Sequence, residues 1–581
     1  MKIKSFWSHV NNLKNCSNIP NKLDLNGATA LDPASKCSLF GQHFSSVFNQ
    51  LDVPVPSFDF GPNCSLSSVT VSATEVQKKL EGLDPSKSAG PDYIHPKVLK
   101  FCAPVISCHL AILFNLLLSK GIFPSCLKEG IVVPIFKSGD RSKVQNYRPI
   151  VIQSAVAKVF ESLVLDRLYF YLKPFISCNQ HGFLSGRSTI TNLLQFQEFT
   201  ISAFTESCQV DCIYLDFSKA FDKVHHDLLL AKLAGYGVTG QLLQWIGSYL
   251  RNRELVVKCE GATSASFPVL SGVPQGSHLG PLLFNIFIND ITSVISVEHL
   301  LFADDIKIFA KVSSPSDIAK LQQSLICVGD WCEANAMVLN VNKCHVLTFS
   351  RIHNSIISEY FICGKSLDRV DTMKDLGVVM SSTLSPSEHI CYVTTKAYSL
   401  LGFISRSTRH FNSVLCLLTL YKSLIRPVLE FGSIIWSPYQ VGHIAMLNKV
   451  QTRFLRIVGA RLGYAFFDSP VREFELLFDI HPLHLRRNVA DMIFLFKLIS
   501  GLLDCPELLS RVDFAAPRGT RSRTAFCRSF HPTSYALNSG LSRLLRTACD
   551  LASRVDFFHG SVPSFRREVF TILSATGRYV A

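Results

Sequence analysis

Between about residues 71 and 350, short runs of β-branched and aromatic residues alternate with longer stretches whose apolar positions recur at helical spacing. The runs 130–136, 211–216, 300–304 and 344–349 read as strands, and the segments between them as amphipathic helices. That alternation predicts an α/β or α+β core. A helix is predicted over residues 74–83, closed by the turn-rich stretch 84–92 with its Pro85, Gly90 and Pro91. From about Thr394 the period is mostly helical, as in 414–425 and 446–458. The first seventy residues follow neither period. Pro20, Pro33, Pro54, Pro56 and Pro62 interrupt every run there, which predicts an extension with short helices rather than a packed domain. The most apolar stretch, 108–118, falls short of the roughly 20 residues a bilayer span needs. It is expected to be a buried core helix, with no membrane association.

Composition narrows the class. The chain has 581 residues, length for about four domain-sized units. Hydrophobic residues make up 48% and charged residues 18%, which excludes an intrinsically disordered chain. Thirty-one glycines without a repeat exclude a collagen-like one. Lys plus Arg is 58 and Asp plus Glu is 44, so the net charge is 58 − 44 = +14. That excess fits a polyanionic partner, and equally an ordinary basic protein. The 19 cysteines include no Cys-x-x-Cys pair, and residues 1–10 lack the apolar core of a signal peptide. Together these predict reduced thiols inside a cell and argue against a zinc site.

Candidate chemistry sits in the carboxylates. In residues 299–310, Asp304 and Asp305 interrupt an apolar run, so a strand–turn–strand hairpin is predicted with both acids at its turn. Two adjacent carboxylates repel, and one takes up a proton unless a cation holds both. A plain polar turn would also place Asp there. A second apolar strand ends at Asp216, after which Ser218 is expected to cap a helix running through Leu233. If the two strands are neighbours in one sheet, their acids could hold two Mg²⁺ ions, hard cations that prefer oxygen ligands. Such a pair activates an attacking hydroxyl and stabilises a leaving pyrophosphate.

The wording around these acids resembles that of reverse transcriptases. Phe302-Ala-Asp-Asp305 resembles their aromatic-x-Asp-Asp box, and Asp216 with Phe217-Ser-Lys-Ala-Phe221 resembles their first acidic motif. Residues 271–281, with Pro274, Gln275 and Gly276, lie between the two and resemble their Pro-Gln-Gly motif. Order and spacing also match. The neighbouring phrases, 215–224 and 280–290, are similar to the polymerases of non-LTR retrotransposons of the jockey-like group.

That resemblance implies an α+β right-hand polymerase with fingers, a palm of antiparallel sheet plus helices, and a helical thumb. The expected boundaries are an N-terminal extension over 1–70, fingers and palm over 71–350, primer-grip hairpin and thumb over 351–460, and a helical C-terminal region of unknown role over 461–581. The implied reaction is RNA-directed DNA synthesis, in which a primer 3′-hydroxyl attacks the α-phosphate of a dNTP. Asp216, Asp304 and Asp305 would be catalytic and metal-holding. The cofactor would be two Mg²⁺ ions, with Mn²⁺ an alternative, and the partners an RNA template, a DNA primer or target, and dNTPs. A nuclear location is implied, with the cytoplasm as alternative, and oligomeric state is open.

Other roles come by the same route. Residues 130–136 read as a strand, 137–140 as a turn and 146–150 as its return, with Arg148 extended because a proline follows. The family's fingertip hairpin grips the incoming triphosphate, which would make Lys137 and Arg148 its cations. Read alone, both are solvated turn charges. Phe221 would lie under the nucleotide sugar and exclude a 2′-hydroxyl. Pro274, Gln275 and Gly276 would line the nucleotide pocket. Gly186 and Arg187, in a glycine-rich loop ahead of a helix capped by Ser188, would contact the template. An ordinary helix-entry loop is the alternative. Lys343 would protonate the departing pyrophosphate, or be a surface lysine. Leu376 and Gly377 would belong to the primer grip. The tail is basic at Arg518, Arg521, Arg523 and Arg528. Relatives usually carry an endonuclease ahead of the polymerase. This chain opens on residues 4–10, which resemble the linker that follows it, so a truncated copy or partial gene model is expected. A catalytically dead remnant that binds nucleic acid, or an RNA-dependent RNA polymerase, would share the same fold.

Overall fold

The computed structural model describes residues 5–7, 9–10, 19–48, 54–61, 64–411, 413–515, 525–528 and 530–575. Arg518, Arg521, Arg523 and part of the 4–10 stretch lie outside these. Helices and strands are mixed throughout. The strands are β1 (Leu23–Leu25), β2 (Ala28–Ala30), β3 (Glu129–Phe136), β4 (Tyr147–Ile152), β5 (Gln209–Leu215), β6 (Arg253–Cys259), β7 (Ala262–Thr263), β8 (Phe267–Val269), β9 (Glu298–Phe302), β10 (Asp305–Val312), β11 (His345–Phe349), β12 (Phe361–Ile362), β13 (Lys365–Ser366), β14 (Asp368–Arg369), β15 (Thr372–Asp375) and β16 (Val378–Ser381). The four strands read from the sequence are thus β3, β5, β9 and β11.

The central sheet has the order β14-β11-β5-β10-β9, and β5 runs antiparallel to both of its neighbours. Every residue of β5 is buried, as expected of a strand covered on both faces. Its side chains alternate. Val210, Cys212 and Tyr214 enter one apolar core, and Ile213 and Leu215 the other. Helices Ala155–Leu172, Gly280–Ile288 and Pro315–Ala334 close the second core. Helix Thr189–Thr205 and the helices from Ser387 onward close the first. A second sheet, β4-β3-β6-β7 with β8 also on β6, is interleaved with it along the chain: β3 and β4 precede β5, and β6 to β8 lie between β5 and β9.

Three expectations change. Within the first seventy residues, the segment 33–45 packs on the second sheet rather than trailing as part of an extension. Helix Pro33–Ser45 buries Cys37, Phe40 and Phe44 against Val132, Tyr147, Val151 and Val257 of the second sheet. Pro33 starts this helix rather than breaking it, since the first helical turn needs no amide donor. Second, no single helix runs from Ser218 to Leu233. Two short helices, Ala220–Lys223 and His226–Gly235, are separated by an extended Val224, and Lys219 takes a left-handed conformation (φ 54°). The break lets the 271–273 loop pair with the first helix, through Gly272 N–H to Val224 O (2.8 Å) and Val273 N–H to Phe221 O (2.9 Å).

Third, helix Ala103–Ser119, which contains the 108–118 run, is only half buried. Ala103, Ser107, Ala111, Phe114 and Leu118 face the core, while Val105 and Ile112 are about 70% exposed. A run that is apolar all round does not encode which face is covered. Among the described residues no helix is long and apolar enough to cross a membrane. The expected boundary at 460 lies in the last turn of helix Val441–Arg461, and buried residues of that helix and of helix Leu483–Ile499 belong to one apolar core.

The packing of the N-terminal helix is directly testable. Phe40 is fully buried, 5.0 Å edge-on to Tyr147. Phe40→Ala should cost about 3–5 kcal/mol in urea unfolding. An unchanged midpoint would mean the segment is a loose extension after all.

Candidate active site

The sheet register brings the acids together. Ile306 of β10 pairs with Leu215 of β5, so Asp305, just before Ile306, and Asp216, just after Leu215, sit side by side at one sheet end. Phe302 pairs with Asp305 across a two-residue turn, Ala303-Asp304, with Ala303 left-handed (φ 58°). A primed turn of this kind matches strand twist but favours glycine at that first central position. On the other side of β5, Asn340 N–H donates to Asp216 O (2.7 Å) and Ser218 N–H to Val338 O (2.8 Å). This holds the 338–344 turn against Asp216 and brings Lys343 Nζ to 3.2 Å from its carboxylate.

The electrostatics confirm the crowding. Burial raises the Asp304 carboxyl above the usual carboxylate range, and Asp216 adds to this, while Arg148 and Lys137 oppose it. Asp305 is pushed to about 6 by desolvation, then by Asp304, Asp375 and Asp216. Lys137 is lowered by desolvation, Arg148 and Lys343, and raised by Asp216 and Asp304. Lys137 and Arg148 sit on the β3–β4 hairpin, where Arg148 pairs with Ile135 and Lys137 N–H bonds Asn146 O (2.8 Å). Both side chains are exposed. So Lys137, Arg148, Lys343 and the aspartates share one field. A cavity of about 330 Å³ opens beside them, lined among others by Asp216, Phe302, Asp305, Lys343, Asp375 and Leu376.

Among the described residues no three His, Cys, Asp or Glu side chains are gathered closely enough to hold an ion. Lys343 is the cation beside Asp216 here. The donor chemistry nevertheless suits a hard divalent ion: carboxylate oxygens only, two of them driven towards protonation chiefly by burial and then by neighbouring carboxylates.

The 271–278 loop joins both sheets. Phe221 is half-buried, stacked on Phe284 (4.3 Å, 15°) and edge-on to Phe183 (5.9 Å). Gln275 Nε2 donates to Asp222 Oδ1 (2.6 Å), and burial pushes Asp222 to about 6. Gly276 (φ 78°) follows Pro274 and Gln275. A Cβ at Gly276 would lie 2.8 Å from Val151 O of β4, so only glycine lets the loop approach that strand. His278 N–H donates to buried Glu161 Oε2 (2.9 Å), and Glu161 is raised to about 7, chiefly by burial.

Leu376 (φ 43°) and Gly377 (φ 93°) form the two-residue turn of the β15–β16 hairpin. A Cβ on Gly377 would meet Phe431 at 2.7 Å, so this turn packs directly on the helical region. Gly186 and Arg187 do not line the cavity. The Arg187 side chain is 7% exposed, donates to Cys178 O and lies 3.4 Å from Glu507. Gly186 O accepts from Asp504 N–H (2.9 Å). Sequence reasoning missed the buried Lys307–Asp375 ion pair, which ties β10 to the β15–β16 hairpin. The signal was present, since Lys307 interrupts an apolar strand two residues after Asp305 and so shares its face.

Residues 135–404 match the family described as reverse transcriptase (RNA-dependent DNA polymerase). The chain is 28% identical over 448 residues to the RNA-directed DNA polymerase from mobile element jockey of Drosophila melanogaster, covering 74% of this chain and 47% of that protein. It is 25% identical over 467 residues to the probable RNA-directed DNA polymerase from transposon BS of the same organism, covering 74% and 50%. For the corresponding protein of transposon X-element the values are 24% over 487 residues, 78% and 52%. The chain thus spans about half the length of the curated relatives it matches. Among solved structures, an apo telomerase from Candida tropicalis overlaps 45% of this chain and 55% of its own, at 13% identity and a TM-score of 0.31, too low to carry an argument.

Glu161 gives a pH test of the loop anchor. Its carboxyl binds its proton more tightly in the folded chain (about 7) than in the unfolded one (4.5). Stability from this group is therefore full below about 4.5, falls as pH rises towards 7, and is flat above. Glu161→Gln keeps an acceptor for His278 N–H without the charge. Its melting temperature should equal wild type near pH 4 and exceed it at pH 8, by at most ~3 kcal/mol of stability. Parallel pH profiles for the two proteins would refute this.

Proposed function

We propose that this chain, which carries a reverse transcriptase domain over residues 135–404, is the RNA-directed DNA polymerase portion of a non-LTR retrotransposon protein. The observation that carries the reading is the crowd of three carboxylates at the joined ends of β5 and the β9–β10 hairpin, facing Lys137 and Arg148. Its expected substrates are dNTPs, a primer 3′-hydroxyl and an RNA template. In this reading the fingers and palm lie within 71–350, and the primer-grip hairpin and helical thumb within 351–460.

Asp216 and Asp304 would hold Mg²⁺, with Asp305 adding charge. When bound, divalent metal ions lower the pKa of the attacking hydroxyl and neutralise charge on the phosphates. The remaining work falls to the chain's own groups. Arg148 binds the triphosphate by forked hydrogen bonds and Lys137 by its point charge. Phe221, kept in place by Phe284, closes the space beneath the sugar. Lys343 stands ready to give a proton to the departing pyrophosphate, once the triphosphate replaces Asp216 as its partner. Leu376 and Gly377 seat the primer end. Positioning and fixed charge supply most of the acceleration, and base pairing reads the sequence. Binding of nucleic acid through backbone phosphates should weaken steeply with salt.

Primer extension on an RNA template with dNTPs and Mg²⁺ tests the reading. Wild type should extend, and Asp304→Asn should lose at least about 100-fold, the scale of removing one electrostatic stabiliser. A wild-type chain that binds template and primer without extending would overturn it in favour of a nucleic-acid-binding remnant. Phe221→Val should raise ribonucleotide incorporation relative to deoxyribonucleotide by about 10-fold or more, about 1.4 kcal/mol of discrimination. An unchanged ratio would remove Phe221 from the sugar pocket.

A further inference from the structure

The turn that carries Asp304 has an unusual neighbour. Gln180 is 2% exposed and stands 123 residues away in sequence, yet its side-chain amide pairs with both backbone groups of Ala303. Its Oε1 accepts from Ala303 N–H (2.9 Å), and its Nε2 donates to Ala303 O (3.4 Å). The same Oε1 accepts from Gly182 N–H (2.7 Å). Ala303 is the residue held at φ 58°, a conformation an L side chain resists, and no glycine relieves it.

The segment bearing Gln180 is itself fixed. Leu301 N–H bonds Asn179 O (2.9 Å) and His181 N–H bonds Leu301 O (2.9 Å), so residues 179–181 extend the sheet beyond β9. Asn192 Nδ2 donates to Leu301 O (3.1 Å), and Asn285 Nδ2 to Gly182 O (2.8 Å). A Cβ on Gly182 would fall on the amide nitrogen of Ala303, so the contact tolerates no side chain there.

We propose that Gln180 is a positioning residue: by bracketing the Ala303 peptide it stabilises the left-handed turn and so sets the direction in which Asp304 leaves the backbone. Gln180 places both ends of its amide on the single strained residue of the turn. The inference deepens the polymerase reading and rests on it for its kinetic consequence.

The test pairs Gln180→Met, similar in length and without hydrogen bonds, with Ala303→Gly, which removes the conformational penalty that Gln180 offsets. Q180M should lower kcat for primer extension by about 10- to 100-fold. KM for dNTP should stay within about threefold, since the triphosphate contacts are untouched. Amide exchange in the peptide spanning residues 299–306 should quicken. Adding A303G to Q180M should restore kcat several-fold. Gln180→Asn, one methylene shorter, is the milder variant should Q180M not fold, with the same directions and a smaller loss. No rescue by A303G, or a loss of kcat with unchanged exchange in the turn, would overturn the proposal. If the wild-type chain does not extend primers, the polymerase reading fails by itself, and the exchange data still decide whether Gln180 braces the turn.

Discussion

Three carboxylates held at one sheet end impose the constraint around which the rest of the structure is arranged. Neighbouring like charges favour protonation or separation, so the backbone must carry them there against their own repulsion. The antiparallel register does so. Leu215 opposite Ile306 leaves Asp216 and Asp305 nowhere to go but side by side. That register is stiff because β5 is buried on both faces, and a slip of one residue would exchange its two apolar cores. The cores on either side, including the one closed by the helices from Ser387 onward, therefore serve the site by fixing one strand.

Much of this was legible in the chain, and the reason is physical. Strands covered on both faces are mostly apolar, so acids at the end of an apolar run stand out, as Asp216, Asp304 and Asp305 do. What escaped the sequence depends on partners remote along the chain. Lys307 meets Asp375 across 68 residues, and Gln180 meets Ala303 across 123. No periodicity encodes such pairs. Elsewhere a local rule lost to tertiary pairing: Ser218 is a good cap, yet the 271–273 loop claims the backbone groups that a longer helix would need. At the N-terminus the signal was present but masked. Cys37, Phe40 and Phe44 have helical spacing, and Pro33 opens the helix that carries them.

The 271–278 loop is where the two sheets become one machine. Gln275 is fastened to Asp222 beside Phe221, Gly276 lies on β4 and His278 on Glu161. The hairpin that carries Lys137 and Arg148 is thus registered against the sheet end that carries the aspartates. The β15–β16 hairpin is registered from the opposite side, through Lys307–Asp375 and the close approach of Gly377 to Phe431.

The cations around the aspartates divide by exposure, and the division matters more than their number. Lys307 and Asp375 have side chains only 4% and 6% exposed. Removing either would strand a buried charge at a cost of about 3–5 kcal/mol, so this pair is part of the framework. Lys343 and Asp216, 3.2 Å apart, are 57% and 33% exposed. Solvent screens such a pair until it is worth about 0–1 kcal/mol, so a competing ion can displace it with little penalty. Lys137 and Arg148 are exposed as well. The site thus pairs a fixed set of charges, which holds its shape, with an exchangeable set, which can change partners. That division suits the proposed polymerase reaction, in which each cycle would bring in one polyanion and release another.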